Sequence, residues 1–280
     1  MINRSVAKRK ILSGLNCLLC LSLCLIWIAP FCWIFSTSMR SRSSAFAVPP
    51  AFFPETLNLT NYKQVFQMIP VAQFMGNSLK NALFTTVFML LFTCMAAYAM
   101  ARVDFRGKKL VMPILLSGMM IPSSVTLIPL FFTMRDLGLI NTQWSVILLG
   151  IYYPIGFLLV HQFYMTIPRS YDEAAYIDGA GHIRIFTRII LPMSVSPMIV
   201  AGLLCFINCW NNFLLPLVLI SDVNQFTMPL GMQFLRGSAF STDICVILAG
   251  VVIVLLPPVV LFIFCQKWLM QGFITTGLKS

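Results

Sequence analysis

Long apolar runs alternate with short polar segments along this chain. Six of the runs approach or exceed the roughly 20 apolar residues that a helix needs to cross a bilayer. They lie at about residues 11–35, 76–101, 110–132, 143–165, 194–220 and 243–265. Inside a bilayer the backbone must satisfy its own hydrogen bonds, so helices are predicted for all six. The pattern predicts an all-α, polytopic membrane protein with one transmembrane domain over residues 1–280.

The composition supports this fold class. Of the 280 residues, 59% are hydrophobic and 10% are charged, which leaves too few polar positions for a sizeable soluble domain. The net charge of +11 is compatible with nucleic-acid binding, but the basic residues cluster beside the ends of the apolar runs. That placement is typical of charges that set membrane orientation. We therefore expect the lipid bilayer, and no nucleic acid, as a partner.

The same basic residues predict which side of the membrane each loop faces. Thirteen of the 19 Lys and Arg residues lie on the side of the two termini. They fall before the first run, after the second, between the fourth and fifth, and in the tail. Because cytoplasmic loops carry the excess of Lys and Arg, both termini and the segment 166–192 are predicted to be cytoplasmic. We call residues 166–192 the inner loop.

Prolines predict interruptions in two of the runs. Pro113, Pro122 and Pro129 lie in the third run, and Pro154 lies in the fourth. Each removes a backbone donor and opposes a continuous helix. Carbonyl groups freed in this way must be satisfied by neighbouring helices or by a water-lined path.

The inner loop has the local pattern of two short helices. Ser170 and Glu173 have the S-x-x-E spacing of a capping box, and Gly179 and Gly181 predict a stop and a tight bend. A second helix is expected to carry Ile183, Phe186 and Ile190 on one face and Arg184 and Arg188 on another.

A longer spacing makes the inner loop more specific. Glu173-Ala174-Ala175, Gly179, Ile189 and Leu191-Pro192 stand at intervals that resemble the EAA loop of bacterial ABC-importer permeases. The resemblance implies a coupling helix that docks in a cleft of a separate ATP-hydrolysing subunit. It assigns this coupling to Asp172, Glu173, Ala174, Ala175, Asp178, Gly179, Ala180, Ile189, Leu191 and Pro192. The capping pattern by itself supports only an amphipathic surface helix.

The chain shows no energy source of its own. No Asp, Glu, Lys or Arg lies within the cores of the six runs, and His161 is the lone candidate for an ion relay. The sequence also has no G-x-x-x-x-G-K-[ST] phosphate loop. The nine cysteines include one C-x-x-C without a second pair or a histidine, so no metal site is expected. These features disfavour a secondary transporter and a membrane-embedded enzyme.

Further segments resemble the carbohydrate-uptake, maltose-type branch of these permeases. They are the W-N-x-F-x-x-P-L stretch within 206–217, the segments 120–130 and 137–142, and Thr227-Met228-Pro229-Leu230-Gly231. The resemblance implies a second homologous permease, two copies of an ATPase subunit that carries ATP and magnesium, and an extracytoplasmic solute-binding protein. It places the chain in the bacterial inner membrane and puts no cofactor on it. The alternative is a related importer for another solute, such as glycerol phosphate, which would call for basic groups along the path.

Three amides in the fifth run are candidates for the translocation path. Asn208, Asn211 and Asn212 fall within about one helical turn and are costly to expose to lipid. They are expected to line an aqueous path or to hydrogen-bond a neighbouring helix. Sugars are bound by amides and by aromatic faces, so Trp210, Tyr152 and Tyr153 are their candidate companions.

Overall fold

The computed structural model describes residues 2–45, 58–236 and 243–277. The ends of the chain and the segments 46–57 and 237–242 lie outside the described residues, and Lys279 is among them. The described residues form helices and no β-strand, which confirms the all-α prediction. In chain order the α-helices are α1 (Ile2–Ser38), α2 (Arg42–Ala45), α3 (Thr60–Met68), α4 (Val71–Arg102), α5 (Lys108–Ser117), α6 (Ser123–Asp136), α7 (Gln143–Gly150), α8 (Pro154–Thr166), α9 (Ser170–Ile177), α10 (His182–Ile185), α11 (Leu191–Met193), α12 (Val195–Trp210), α13 (Leu214–Leu219), α14 (Met228–Gly231) and α15 (Ile244–Gly277).

Most of the predicted membrane runs correspond to helices of sufficient length. Four stretches of the described chain are long and apolar enough to cross a membrane: Ser13–Ser38, Val71–Arg102, Gln143–Thr166 and Ile244–Leu269. The fifth predicted run belongs to a bent pair, His182–Met193 and Val195–Trp210, whose axes differ by 76°. The third predicted run is divided between α5 and α6, so its crossing of the membrane stays a prediction.

Two of the four prolines mark breaks in these runs. Pro122 has extended backbone angles (φ −59°, ψ 132°) directly before α6. Tyr153 is likewise non-helical (φ −131°, ψ 83°) directly before Pro154 starts α8, because proline disfavours a helical conformation in the residue before it. Pro113 and Pro129 lie inside α5 and α6.

The contacts divide the chain into two compact units. The first comprises Met1–Pro70 and Met232–Val254. In this unit α3 packs on the 3₁₀-helical segment Met232–Arg236. The Asn61 side chain donates from Nδ2 to the carbonyl oxygens of Ser38 and Arg40, each at 2.8 Å. These bonds fix α3 to the chain that leaves α1.

The second unit, Val71–Gly231 with Leu255–Ser280, contains the inner loop. Here α4 contacts α7, α8 and α12. Its approach to α7 depends on Gly150, where an added Cβ would lie 2.7 Å from Thr85 Cγ2, in keeping with the small residues found between membrane helices. At the C-terminal end of α4, buried Ala97 and Ala101 share one apolar core with Ile185 and Ile190 of the inner loop. The loop is therefore packed onto the helix bundle.

The inner loop as candidate functional site

The first helix of the inner loop starts without a side-chain cap. Ser170 is already helical, Arg169 precedes it with helical angles, and no side chain caps the helix. The N–H groups of Asp172 and Glu173 instead donate to the Arg169 carbonyl at 2.9 and 3.0 Å. The prediction that Ser170 and Glu173 form a capping box is therefore wrong. The helical turn already includes Arg169, and the Arg169 carbonyl accepts both N–H groups.

The end of α9 confirms the predicted stop. Gly179 has a left-handed φ of +76°, and its N–H donates to the Tyr176 carbonyl at 3.0 Å. The next N–H, of Ala180, donates to the Ala175 carbonyl at 2.9 Å. This pair of bonds satisfies carbonyls that a helix end leaves open. Asp178 and Gly179 are exposed and Ala180 is half-buried.

The residues of α9 separate into two faces. Asp172 and Ala175 are buried, with 8% and 7% exposure. Glu173 and Ala174 are exposed, and Ile177 is 88% exposed. The two neighbouring acidic residues therefore face different surroundings, and only Glu173 is presented outward.

Asp172 is held by an arginine far away in the sequence. Arg102, the last residue of α4, places Nη1 3.1 Å from Asp172 Oδ2, and the two side chains are 6% and 11% exposed. Its Nη2 also donates to the carbonyls of Tyr164 and Ile167, at 3.0 and 2.6 Å. No local spacing in the sequence relates Arg102 to Asp172, so this ion pair could not be predicted from the sequence.

A histidine joins the two helices of the inner loop. The Tyr176 hydroxyl lies 2.9 Å from His182 Nδ1, and the Tyr98 hydroxyl lies 3.3 Å from the same nitrogen. Tyr98 also packs against Phe186, with ring centroids 5.1 Å apart. This cluster lies beside the Gly179 bend and has no signature in the sequence, because three of its members come from the loop and Tyr98 comes from α4.

The second half of the loop packs through most of the predicted face, since Ile190 is buried and Phe186 packs against the same core. Ile185 and Ile190 are fully buried, whereas Ile183 is 82% exposed, so the predicted face is wrong at Ile183. Phe186–Ile190 form a π-helical turn, which shifts the register relative to an α-helix. Ile189 and Leu191 are half-buried, and Pro192 is exposed.

The outer face of this half is basic. A shallow groove of about 700 Å³ is lined by Gly179, Gly181, His182, Ile183, Arg184, Thr187 and Arg188. Arg184 and Arg188 are exposed, and within the described chain neither has a carboxylate at ion-pair distance. The groove adjoins the exposed face of α9 through the Gly179 bend, so the loop presents acidic, apolar and basic groups outward.

The predicted path residues are only partly brought together. Asn208 is exposed on α12, which ends at Trp210, and Asn211 follows as its exposed C-cap. Asn212 lies beyond the helix, where its Oδ1 accepts the Leu215 N–H at 3.2 Å. Because α12 ends between Asn208 and Asn212, the three amides do not share one turn of a continuous helix. Trp210 is buried, 1% exposed, and stacks on Phe206.

The two candidate tyrosines precede α8. Tyr152 is 52% exposed and donates its hydroxyl to the Leu115 carbonyl at 2.5 Å, whereas Tyr153 is half-buried. The Tyr152 hydroxyl is thus engaged with the first half of the divided third run. In the part of the chain that the structure describes, no group of three or more His, Cys, Asp or Glu side chains is placed to hold a metal ion.

Comparison with known proteins gives consistent matches over most of the chain. Residues 89–274 match the family described as "binding-protein-dependent transport system inner membrane component". The sulfoquinovosyl glycerol transport system permease protein SmoH of Agrobacterium fabrum is 32% identical over 254 residues, which are 90% of this chain and 88% of the relative. The arabinooligosaccharides transport system permease protein AraQ of Halalkalibacterium halodurans is 35% identical over 230 residues, 82% of each chain.

A solved structure shares the fold. It is the crystal structure of a bacterial ABC transporter involved in the import of the acidic polysaccharide alginate. Its matching chain superposes with a TM-score of 0.79 at 22% identity, covering 92% of this chain and 96% of that one. The helical arrangement described above is thus the fold of that chain.

Proposed function

The chain belongs to the family of binding-protein-dependent transport system inner membrane components, and on this premise we propose that it is the permease subunit of an ATP-driven sugar importer. It forms one half of the translocation path. A homologous permease forms the other half, and two copies of an ATPase subunit bind ATP and magnesium. An extracytoplasmic solute-binding protein delivers the sugar.

The relatives and the membrane runs support a sugar over a phosphate-bearing solute. Relatives at 32% and 35% identity are named for a sulfoquinovosyl glycerol and for arabinooligosaccharides. No basic residue lies within the cores of the six predicted runs, whereas a phosphate-bearing solute would call for cationic groups along its path. The amides of Asn208 and Asn211 are of the kind that bind sugar hydroxyls, so we favour a sugar over glycerol phosphate.

The exposed face of α9 carries the coupling part of the proposal. Its inner face is anchored by Asp172 and Ala175, while Ile177 on the outer side is 88% exposed beside Glu173. Tyr176 and Ile183 are also exposed nearby, and a group of exposed large apolar side chains is typical of a protein-binding surface. Within the described residues Glu173 has no ion-pair partner. The excess of Lys and Arg on this side of the membrane supports a cytoplasmic location, where an ATPase subunit is accessible.

Replacement of Glu173 by Gln tests this coupling. The substitution keeps the shape of the side chain but removes its charge, and a hydrogen bond to a charged group contributes about 1.5–3 kcal/mol. We expect Glu173→Gln to weaken binding of the ATPase subunit by about tenfold or more and to lower ATP-driven uptake in proteoliposomes. Copurified ATPase and transport rate are the two measurements.

Asp104→Asn serves as the matched control. The Asp104 side chain is 88% exposed and contacts only Lys108 among the described ion pairs, outside the inner loop. The Asp104→Asn substitution should leave binding of the ATPase subunit and transport unchanged. Wild-type behaviour of Glu173→Gln in both measurements would remove the ionic coupling role of α9.

A further inference from the structure

Arg102 connects three separate elements at the inner end of the bundle. It terminates α4, its guanidinium lies 3.1 Å from Asp172 in the first turn of α9, and it donates to the carbonyls of Tyr164 and Ile167 at 3.0 and 2.6 Å. Those two carbonyls belong to the end of α8 and the residue that follows it. The planar guanidinium of Arg102 thus connects the end of α4 to the end of α8 and to α9.

Separation of these elements would leave buried polar groups without partners. Asp172 is 8% exposed, and within the described chain its other carboxylate oxygen, Oδ1, has no hydrogen-bond partner. Arg102 therefore supplies the compensation for this buried charge. The last carbonyls of a helix have no partner within that helix, and Arg102 supplies donors for two carbonyls at the end of α8. Breaking a buried ion pair is strongly unfavourable because the remaining charge is uncompensated.

The neighbouring Glu173 has the opposite environment. It is exposed, so the outer face of α9 is available to a partner while the inner face is tied to the bundle by a charge. The two adjacent carboxylates thus have different roles. Glu173 faces outward, and Asp172 receives the arginine that terminates α4.

We propose that Arg102 is a positioning residue that locks α9 to the inner ends of α4 and α8, so that a displacement of α9 reaches both helices as motion of one body. This inference rests on the proposed function, in which the ATPase subunit moves α9. It assigns Asp172 to contact within the chain and leaves contact with the ATPase to the outward residues of α9.

A distance measurement tests the rigid connection directly. Nitroxide labels are attached through p-acetylphenylalanine at Tyr171 on α9, which is outside the residues assigned to coupling, and at Met95 on α4, both exposed positions. Pulsed electron spin resonance then measures their separation in the assembled complex, with and without MgATP and vanadate. In the wild type we expect one narrow distribution that is unchanged by nucleotide. In Arg102→Met/Asp172→Leu, which removes both charges together, the distribution should broaden at least about twofold, as expected when coupled elements lose their connection.

Lys108→Met/Asp104→Leu is the matched control. It removes an ion pair of similar length, 3.4 Å, from the same side of the membrane, but this pair does not touch α9. Its distribution should equal that of the wild type. A double Arg102/Asp172 variant that remains as narrow as the wild type would overturn the inference, and so would a wild-type separation that changes with nucleotide.

If the double variant is not recovered in membranes, conservative variants test the positioning role of Arg102. Lys carries a single ammonium group and cannot reproduce the three contacts of the guanidinium. Arg102→Lys should therefore broaden the distribution and reduce the stimulation of MgATP hydrolysis by the binding protein by about tenfold. Arg102→Lys/Asp172→Glu, which restores the reach of the pair, should recover part of both. An Arg102→Lys variant equal to the wild type in both would refute the positioning role.

The outcomes separate the two proposals. If the wild-type complex fails to bind an ATPase subunit or to respond to MgATP, the proposed function is wrong, whereas the distributions without nucleotide still report on the Arg102 connection. If the binding protein stimulates MgATP hydrolysis in the wild-type complex and stimulates it equally in the Arg102 variants, only the positioning role of Arg102 is refuted.

Discussion

Consecutive residues of one short helix can serve opposite purposes, as Asp172 and Glu173 do in α9. Successive side chains of an α-helix are rotated by about 100°, so a helix with one face on a core must send neighbouring positions in different directions. Ala175 is buried with Asp172, and Ala174 is exposed with Glu173. The E-A-A triplet therefore contributes to both faces and is not a purely external motif.

Gly179 is the residue at which backbone conformation decides the path of the loop. Its φ is +76°, and an added Cβ would meet nothing within 4 Å. The cost of a side chain there is thus conformational, about 1–2 kcal/mol for an ordinary residue. We expect Gly179→Val to weaken ATPase binding by about five- to thirtyfold, the equivalent of that free energy. Copurification of the ATPase subunit measures it.

Gly181 provides the comparison for this substitution. It also has open space around a Cβ, but its φ is −80°, which any residue adopts. Gly181→Val should therefore retain ATPase binding, and Gly179→Asn should be milder than Gly179→Val because Asn tolerates the left-handed region. Equal binding by all three variants would show that the bend does not depend on Gly179.

At the scale of the element, the fifth predicted run is not one helix. α12 ends at Trp210, and α13 begins at Leu214, with Asn212 between them accepting the Leu215 N–H. An asparagine in this position acts as a helix cap, whereas Asn208 and Asn211 make no side-chain hydrogen bond within the described residues and are exposed. Similar amides thus have different physical roles because the helix stops between them.

This difference predicts different consequences for the asparagines. Asn212→Ala should lower the free energy of unfolding by about 1 kcal/mol through loss of the cap, and Asn212→Ser should retain most of it. Asn208→Ala and Asn211→Ala should leave stability unchanged but lower sugar uptake. Thermal unfolding in detergent and transport in proteoliposomes distinguish the two effects. Unchanged uptake by the Asn208 and Asn211 variants would exclude them from the path.

At the scale of the whole molecule, the chain has the architecture of a transporter subunit that depends on partners. No Asp, Glu, Lys or Arg lies within the cores of the predicted runs, so His161 is the lone candidate through which an ion gradient could act. His161 is half-buried and stacks on Phe157 of its own helix, with centroids 5.6 Å apart. The outward groups of the inner loop are the surface through which energy is proposed to enter.

Reconstitution checks this dependence. The purified chain alone in liposomes should not concentrate labelled neutral sugars under a proton or sodium gradient. Liposomes that also contain the second permease and the ATPase should do so with MgATP and the binding protein. Neutral oligosaccharides should compete for uptake and glycerol 3-phosphate should not. Accumulation by the chain alone would contradict the proposed function, and competition by glycerol 3-phosphate alone would favour the other solute class.

The fold class and most of the membrane-capable helices of this protein follow from its sequence alone. Apolar runs of sufficient length can be stable in a bilayer only as helices, so the all-α class and most of the membrane-capable helices follow from hydropathy. Gly179 marks the end of α9 because the left-handed conformation selects glycine over short range. The spaced pattern from Glu173 to Pro192 indicates the family without reference to any tertiary contact.

The tertiary structure decided which of the indicated groups face inward and which are joined. Arg102 and Asp172 are brought together by the packing of α4, α8 and α9, and no short-range spacing encodes a contact across this distance in the chain. Ser170 does not cap its helix, since the earlier turn at Arg169 supplies the acceptor. Ile183 is exposed because the π-helical turn and the apolar core select Ile185 and Ile190. Local propensity sets where helices form, whereas burial against residues distant in sequence sets which face of each helix remains available to a partner.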